Sequence, residues 1–213
     1  MRSIANKSQG HNQKSPLTFQ LIRSIWYHLG NMQQASCLKA ALTLGFFGGL
    51  RGAEYLTTPF SPGPNMSQLT YMNDSCMKYK VHKSKTKPKG FTVPYHCSKD
   101  TICAVCCMST YLVEESTNRQ LHNTAQLFSY KGKPLSKCMF NKVLKQAVAC
   151  IGKDPSKYSI HSIRSGVTTT AAKNQFEDWE IRKIGGWVSN TYLTYIRHNP
   201  RNSKRFSRLT QCS

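Results

Sequence analysis

The change in hydrophobic period near residue 60 constrains the fold of this chain most strongly. Before residue 59 the apolar residues recur at helical spacing, but after the breaker cluster at 59–64 they alternate with polar residues. Alternation indicates strands with one buried face, and we expect three of them, at 68–71, 77–81 and 91–95. Helical spacing then resumes at about residue 103. The sequence therefore predicts an α+β fold, mostly helical, with one small three-stranded antiparallel sheet.

The ends of the helical segments are predicted from capping residues and helix breakers. The second predicted helix, at 35–50, is apolar around most of its circumference, which is typical of a helix at the centre of a core. It ends at the glycine pair Gly48 and Gly49, where the backbone is free to turn. We predict helices at 19–29, 35–50, 103–118, 136–151, 160–174, 177–185 and 189–198.

The domain organisation follows from these elements. Residues 1–15 are polar and are expected to form a disordered lead-in, residues 16–198 form one folded domain, and residues 199–213 form a basic tail. At 213 residues the chain is long enough to bury one sizeable core.

The charge balance indicates a polyanionic partner. The chain has thirty Lys and Arg residues but only nine Asp and Glu residues, which gives a formal charge of +21. The charge can also belong to a solubilising surface or to a patch that adheres to a membrane. We favour nucleic acid as the partner, because the positive charge clusters around residues that could take part in catalysis. Six lysines and no acid occupy 78–89. Among them we expect Lys83, Lys87 and Lys89 to contact the backbone of double-stranded DNA.

The sequence offers no sign of export or membrane insertion. It contains no run of eighteen apolar residues, and its first residues lack the apolar core of a secretory signal. We therefore expect an intracellular protein that does not associate with a membrane, with its nine cysteines reduced.

Arg51, Glu54 and Lys85 form the first candidate group. Arg51 and Glu54 lie three residues apart, so on a helical turn they share a face. They can form an ordinary ion pair, or Glu54 can orient Arg51 toward a phosphate, whose oxygens suit the planar guanidinium fork. Lys85 lies in the lysine-rich hairpin, where it either discourages strand pairing or carries an ammonium to a leaving oxygen.

A second candidate group lies more than a hundred residues later. His161 and Arg164 share one face of a predicted helix, which suits them to hold a phosphate oxygen and move a proton. The small residues after them let this helix pack closely. Trp187 follows Gly185 and Gly186, and its indole N–H donates without titrating. Tyr195 is the candidate nucleophile, with Tyr192 as its competitor.

The cysteines near residue 100 admit two interpretations. Cys103 and Cys106 have the spacing of zinc ligands, and His96 or Cys97 supplies a third position. Alternatively, they are small apolar residues at the start of a helix. We prefer the second interpretation, so we predict no metal and no cofactor.

Taken in order, these residues resemble the catalytic domain of the tyrosine recombinase (phage integrase) family. That family has an Arg with a Glu three residues on, a hairpin Lys, His-x-x-Arg, a His or Trp, and then Tyr. The stretch 44–51 resembles the first signature of the family. Residues 185–187 followed by 192–197 are most similar to eukaryotic mobile-element recombinases of the crypton and DIRS kinds. The resemblance runs from about residue 16 to residue 197.

The resemblance implies a site-specific recombinase or integrase that cleaves and rejoins DNA through a 3′-phosphotyrosyl intermediate, without a metal. It also implies a homo-oligomer, a tetramer on DNA, and location in the nucleus. The implied catalytic residues, with Glu54 as the acidic companion, are Arg51, Lys85, His161, Arg164, Trp187 and Tyr195.

Two features depart from the family. Many relatives have nine residues between the His or Trp and the Tyr, whereas here Tyr195 follows Trp187 by eight. Only about fifteen polar residues precede the predicted fold, so we expect the helical DNA-clamping domain to be missing. The chain is then a catalytic half, a fragment, or a gene product that lost its partner domain. Two alternative functions stay open: a domesticated DNA-binding protein of the same fold without the reaction, and a type IB-like topoisomerase.

Overall fold

The computed structural model describes residues 14–85 and 87–185, which form a mostly helical α+β fold. Its longest helix has 15 residues, and within these two ranges none is long and apolar enough to cross a membrane. In chain order the elements are α1 (Phe19–Leu29), α2 (Ala35–Phe47), α3 (Gly52–Tyr55), β1 (Leu69–Asn73), β2 (Cys76–Val81), β3 (Phe91–His96), α4 (Ala104–Asn118), β4 (Ser129–Tyr130), β5 (Lys133–Pro134), α5 (Lys137–Cys150), α6 (Ile160–Lys173) and α7 (Asp178–Gly185).

The predicted fold class is confirmed, and most predicted elements lie within two residues of the observed ones. Helix α2 is the exception, because it ends three residues earlier than predicted. Its end has the Schellman arrangement: Gly49 adopts a φ of 57°, and the N–H of Leu50 donates to the carbonyl of Gly45. The predicted helix at 189–198 lies outside the described residues.

Helix α2 lies at the centre of the core, as its apolar circumference predicts. Leu38, Leu42 and Leu44 are fully buried, and the helix packs against α1, α4 and α6. Each such side chain contributes about 1.5–3 kcal/mol when it is removed from water. The sheet is joined to this core by Tyr95, whose hydroxyl donates to the carbonyl of Leu44 over 2.9 Å.

The sheet has the order β1-β2-β3, with antiparallel pairing throughout. Along β2 the side chains alternate, so that Met77, Tyr79 and Val81 are buried while Lys78 and Lys80 are exposed. This alternation sets the register and sends the lysine-rich connection between β2 and β3 out of the sheet. The two-residue strands β4 and β5 form a second antiparallel pair, which the sequence did not predict.

Helix α6 is held by the segment that leads into α1. The N–H of Leu17 donates to the carbonyl of Ser162 over 2.8 Å, and the N–H of Phe19 donates to Oγ1 of Thr170 over 3.1 Å. A Cβ placed on Gly166 would lie 1.7 Å from the carbonyl oxygen of Leu17. The small residues of α6 thus allow the close approach that the sequence predicts, and this packing fixes the helix that carries His161 and Arg164.

Candidate active site

Arg51 is positioned by the abrupt end of α2 and by Glu54. It caps the N-terminus of α3, and its N–H donates to Oε2 of Glu54 over 2.7 Å. Its guanidinium donates to the other oxygen, Oε1, over 3.0 Å. The Glu54 side chain is 2% exposed, whereas that of Arg51 is 28% exposed. The predicted ion pair therefore exists, and it leaves part of the Arg51 side chain exposed to solvent.

Ser84 ties the lysine-rich hairpin to the same carboxylate. Its hydroxyl donates to Oε1 of Glu54 over 2.6 Å and lies 3.4 Å from the guanidinium of Arg51. Ser84 and Lys87 also exchange two backbone hydrogen bonds, of 3.2 and 3.3 Å. The base of the hairpin tip is thus anchored on the group that orients Arg51. Sequence reasoning missed Ser84 because its partner lies thirty residues away.

His161 and Arg164 lie at the start of α6, as predicted. The N–H of Ser159 donates to Oγ of Ser162 over 3.0 Å, and this bond helps to fix the first turn of the helix. Arg164 is 3% exposed, and its guanidinium donates to the carbonyl of Gly49, just before Arg51. The bond joins α6 to the end of α2 and so brings the two candidate arginines, which are distant in sequence, to one place.

Two adjoining cavities open at this place. The larger has a volume of about 990 Å³, and its lining includes Arg51, Lys85, His161 and Arg164. The smaller, of about 390 Å³, also lies against Arg51 and Arg164 and adds Lys87 from the hairpin. The fold thus brings four of the predicted catalytic residues to one cleft with both arginines on its wall. Lys83 and Lys89 are exposed on the hairpin beside it.

Lys137 belongs to the same cleft and was missed by sequence reasoning. It is exposed at the first turn of α5, where Ser136 caps the helix through a bond from the N–H of Met139. A lysine after a capping serine is common on any surface helix, so the sequence gave no local signal of this role. In the structure Lys137 adds a further positive charge to the wall of the cleft.

The environment of His161 favours its neutral form. Desolvation within the cleft, together with the positive charges of Arg164, Arg51 and Lys137, lowers the pKa of its imidazole below the ordinary range. At neutral pH the ring therefore has one N–H donor and one acceptor nitrogen. It is suited both to hold a phosphate oxygen and to exchange a proton.

We expect Lys137→Ala to raise the pKa of His161. Removing a nearby positive charge lowers the cost of forming the imidazolium, so protonation occurs at higher pH. The measurement is an NMR titration of the His161 ring in both proteins. Lys142→Ala, an exposed lysine on the same helix that does not line the cleft, serves as the control. An unchanged or lower His161 pKa in Lys137→Ala would contradict this electrostatic account.

The remaining predicted site residues, Trp187 and Tyr195, lie outside the described residues, as does the competing Tyr192. The last described helix, α7, nevertheless ends at the site. Lys183 and Ile184 from its final turn line the smaller cavity together with Arg51 and Arg164.

Comparison with known proteins identifies this fold. No family model and no curated protein sequence matches the chain. Among solved structures, the chain is similar to the XerH site-specific recombinase bound to palindromic difH substrate, with a TM-score of 0.69 and 16% identity over 95% of this chain and 54% of that one. It is also similar to a variant Tn1549 transposon integrase in complex with transposon right end DNA (TM-score 0.68, 14% identity, 97% of this chain and 69% of that one).

A third similar structure is a lambda integrase dimer bound to a COC′ core site, with a TM-score of 0.56 and 18% identity over 86% of this chain and 48% of that one. The chain therefore spans about half the length of the XerH and lambda integrase chains. These likenesses, at low identity, show that the described residues adopt the fold found in tyrosine recombinases and integrases.

Proposed function

We propose that this chain is the catalytic domain of a recombinase or integrase that cleaves and rejoins DNA through Tyr195. One observation carries the proposal: Arg51 and Arg164, held together by the bond from Arg164 to Gly49, share a cleft with His161 and Lys85. Two guanidinium groups on one wall suit a phosphodiester, whose two non-bridging oxygens share one negative charge. The fold shared with XerH and the integrases supports the same function.

In the proposed reaction, the Tyr195 phenol oxygen attacks phosphorus and gives its proton to a ring nitrogen of neutral His161, while the bond from phosphorus to the 5′ oxygen breaks. The products are a 3′-phosphotyrosyl bond and a free 5′-hydroxyl, which takes its proton from the Lys85 ammonium. Arg51 and Arg164 stabilise the negative charge that develops on the non-bridging oxygens, and neutral His161 supports one of them.

Rejoining is the reverse of this step. A 5′-hydroxyl attacks the phosphorus of the phosphotyrosyl group and its proton returns to Lys85. Tyr195 takes back its proton from His161 and leaves as the phenol. The phosphodiester energy is kept in the covalent intermediate, so we propose that the reaction needs no nucleotide and no catalytic metal. Trp187 would add an indole N–H to the phosphate site. The position of α7 supports a role for this segment, because Tyr195 follows the end of that helix by only ten residues (195 − 185).

We propose double-stranded DNA as the partner. The exposed Lys83 and Lys89 belong to the same hairpin as Lys85, which lines the larger cavity, and Lys87, which lines the smaller one. Lysine contacts to phosphates give affinity without base specificity, which suits a hairpin that follows the backbone. The XerH, Tn1549 and lambda structures are all complexes with DNA. Assembly as a tetramer on DNA, location in the nucleus and origin in a transposable element belong to the same proposal.

The proposal is tested by covalent trapping on nicked DNA. A pool of randomised duplexes, each with one nick, loses the short strand that carries the 5′-hydroxyl after cleavage, so the phosphotyrosyl adduct cannot rejoin. We expect an adduct that survives denaturation with the unaltered protein and with Tyr192→Phe, and none with Tyr195→Phe. Tyr192→Phe is the matched control because it removes the same hydroxyl three residues away.

Each other outcome has a defined meaning. An adduct that persists in Tyr195→Phe but disappears in Tyr192→Phe would overturn the nucleophile assignment. Binding to DNA with a steep salt dependence and no adduct would favour the domesticated DNA-binding protein. Relaxation of supercoiled plasmid by a monomer at unrelated sequences would favour the topoisomerase.

A further inference from the structure

Three cysteine sulfurs lie together where the sheet meets α4, away from the residues that line the cleft. Cys97 follows the last residue of β3, Cys103 caps the N-terminus of α4, and Cys106 lies in its first turn. The Sγ atoms of Cys97 and Cys106 are 3.5 Å apart, and those of Cys97 and Cys103 are 3.7 Å apart. All three lie within 4.8 Å of one another.

This triangle has the dimensions of one face of a zinc–thiolate tetrahedron. Two sulfurs bound to one tetrahedral Zn²⁺ at about 2.3 Å lie about 3.8 Å from each other. A disulfide requires about 2.05 Å between its sulfurs, and the eight cysteines within the described ranges are all unpaired. We propose that Cys97, Cys103 and Cys106 bind a zinc ion through three thiolates, in place of the metal-free cluster that the sequence favoured. This site is separate from the proposed DNA chemistry.

The surrounding backbone holds the three cysteines in place. At the start of α4 the N–H of Cys107 donates to the carbonyl of Cys103 over 2.9 Å. Cys97 is itself held in place, because its N–H donates to the carbonyl of Ser75 over 2.7 Å. These outer contacts orient the sulfurs in the way that second-shell groups orient metal ligands.

The burial of the three cysteines determines which side of the metal is open. Cys103 is 1% exposed, Cys97 is half-buried and Cys106 is exposed. We assign the fourth ligand position to a water molecule, which can reach the cluster from the exposed side at Cys106. His96 is not among the ligand atoms that lie within 4.8 Å, although the sequence offered it as an alternative to Cys97. Binding Zn²⁺ to the three thiols releases their protons.

The zinc ion would clip the end of β3 to the start of α4. The loop between them includes Lys99 at a φ of 56°, a conformation that a lysine adopts at some cost. A metal bound at both ends of this loop restrains it more than the hydrogen bonds of β3 and α4 do alone. Zinc binding would therefore fix the orientation of the sheet, and so of the hairpin, relative to the helical core.

The experiment measures zinc in the full chain, purified and dialysed with a reductant that does not bind metal. We expect about one zinc per chain in the unaltered protein. In Cys106→Ser we expect at least a roughly 100-fold loss of affinity, since even an outer-shell change costs 10–100-fold. Cys97→Ser should behave in the same way. Cobalt substitution should give the absorption bands of tetrahedral thiolate-bound Co²⁺ in the unaltered protein only.

Cys150→Ser is the matched control, because Cys150 is exposed at the end of α5 and lies outside the cluster. It should keep its zinc. Removing zinc with a chelator should lower the Tm of the unaltered protein and of Cys150→Ser by roughly 5–10 °C, and leave that of Cys106→Ser unchanged. Circular dichroism confirms that each variant is folded.

Three results would overturn the proposal: no zinc uptake by folded, reduced protein; equal zinc content in Cys106→Ser, Cys97→Ser and the unaltered protein; or a disulfide between Cys97 and Cys106 that persists in reductant. The adduct assay with Tyr195→Phe does not depend on any of these results. Failure of the zinc site and failure of the proposed function are therefore distinguishable.

Discussion

Replacing Arg164 with alanine should lower the rate of DNA strand cleavage by roughly 100- to 1000-fold, the usual cost of removing one donor to a developing oxyanion. The effect should be large because Arg164 is 3% exposed and held in place before DNA arrives, by its bond to the carbonyl of Gly49. A donor that is already in position adds no free-energy cost of reorganisation to the reaction barrier. The measurement is the initial rate of adduct formation on the nicked duplex pool.

The buried position of Arg164 requires separate control of folding. Its loss leaves the Gly49 carbonyl without that donor, and we expect a stability decrease of about 1–3 kcal/mol. Arg164→Lys keeps the charge but loses the planar fork, so its cleavage rate should lie between those of the unaltered protein and Arg164→Ala. Arg23→Ala, an exposed arginine on α1 that lines neither cavity, should change neither rate nor stability. A folded Arg164→Ala protein that cleaves within twofold of the unaltered rate would refute the assignment.

Replacing Glu54 with alanine should destabilise the fold by about 3 kcal/mol, which corresponds to a fall in Tm of roughly 6–12 °C for a chain of this size. The Glu54 carboxylate is 2% exposed and accepts hydrogen bonds from the backbone and guanidinium of Arg51 and from the hydroxyl of Ser84. Its removal leaves all three donors without this acceptor. The cleavage rate should also fall, because Arg51 loses the group that orients it.

We call Glu54 with its two hydrogen-bonding partners, Arg51 and Ser84, the Glu54 hub. A double-mutant cycle distinguishes the loss of this hub from the general effect of losing one carboxylate. The Tm and free energy of unfolding of Glu54→Ala, Ser84→Ala and the double variant should be non-additive, since both side chains share one hydrogen bond. Glu114→Ala, an exposed glutamate on α4, is the matched control and should change stability by less than about 0.5 kcal/mol. Additive effects, or an equal loss in Glu114→Ala, would count against the hub.

Much of the fold was predictable because its elements have strong local patterns. The three strands of the sheet follow a clear alternation, and α1 begins after Thr18 and ends before Gly30, as its sequence predicts. Elements too short to show a repeating pattern of apolar residues were missed. Strands β4 and β5 have two residues each and helix α3 has four, so neither alternation nor helical spacing can be recognised in them.

The site was predictable only as separate pieces. Arg51 with Glu54, and His161 with Arg164, have a spacing that indicates a shared face, but no local pattern brings the two pairs together. That depends on a long-range bond from Arg164 to Gly49 and on the close packing at Gly166. The roles of Ser84 and Lys137 depend likewise on partners far along the chain. The cysteine cluster differs, because the sequence shows the metal-ligand spacing of Cys103 and Cys106. Only the structure shows that the sulfurs of these two residues and of Cys97 lie within 4.8 Å of one another.

The anchoring of Ser84 makes two lysines of the hairpin, Lys83 and Lys89, open to exchange in protein engineering. Among the described residues, the bonds that hold the tip come from the Ser84 hydroxyl and from the backbone of Ser84, Lys87 and Gly90. The ammonium groups of Lys83 and Lys89 take no part in them. These two side chains can therefore be redesigned to change how the domain grips a nucleic-acid backbone, while the geometry of Arg51 and Glu54 is inherited unchanged.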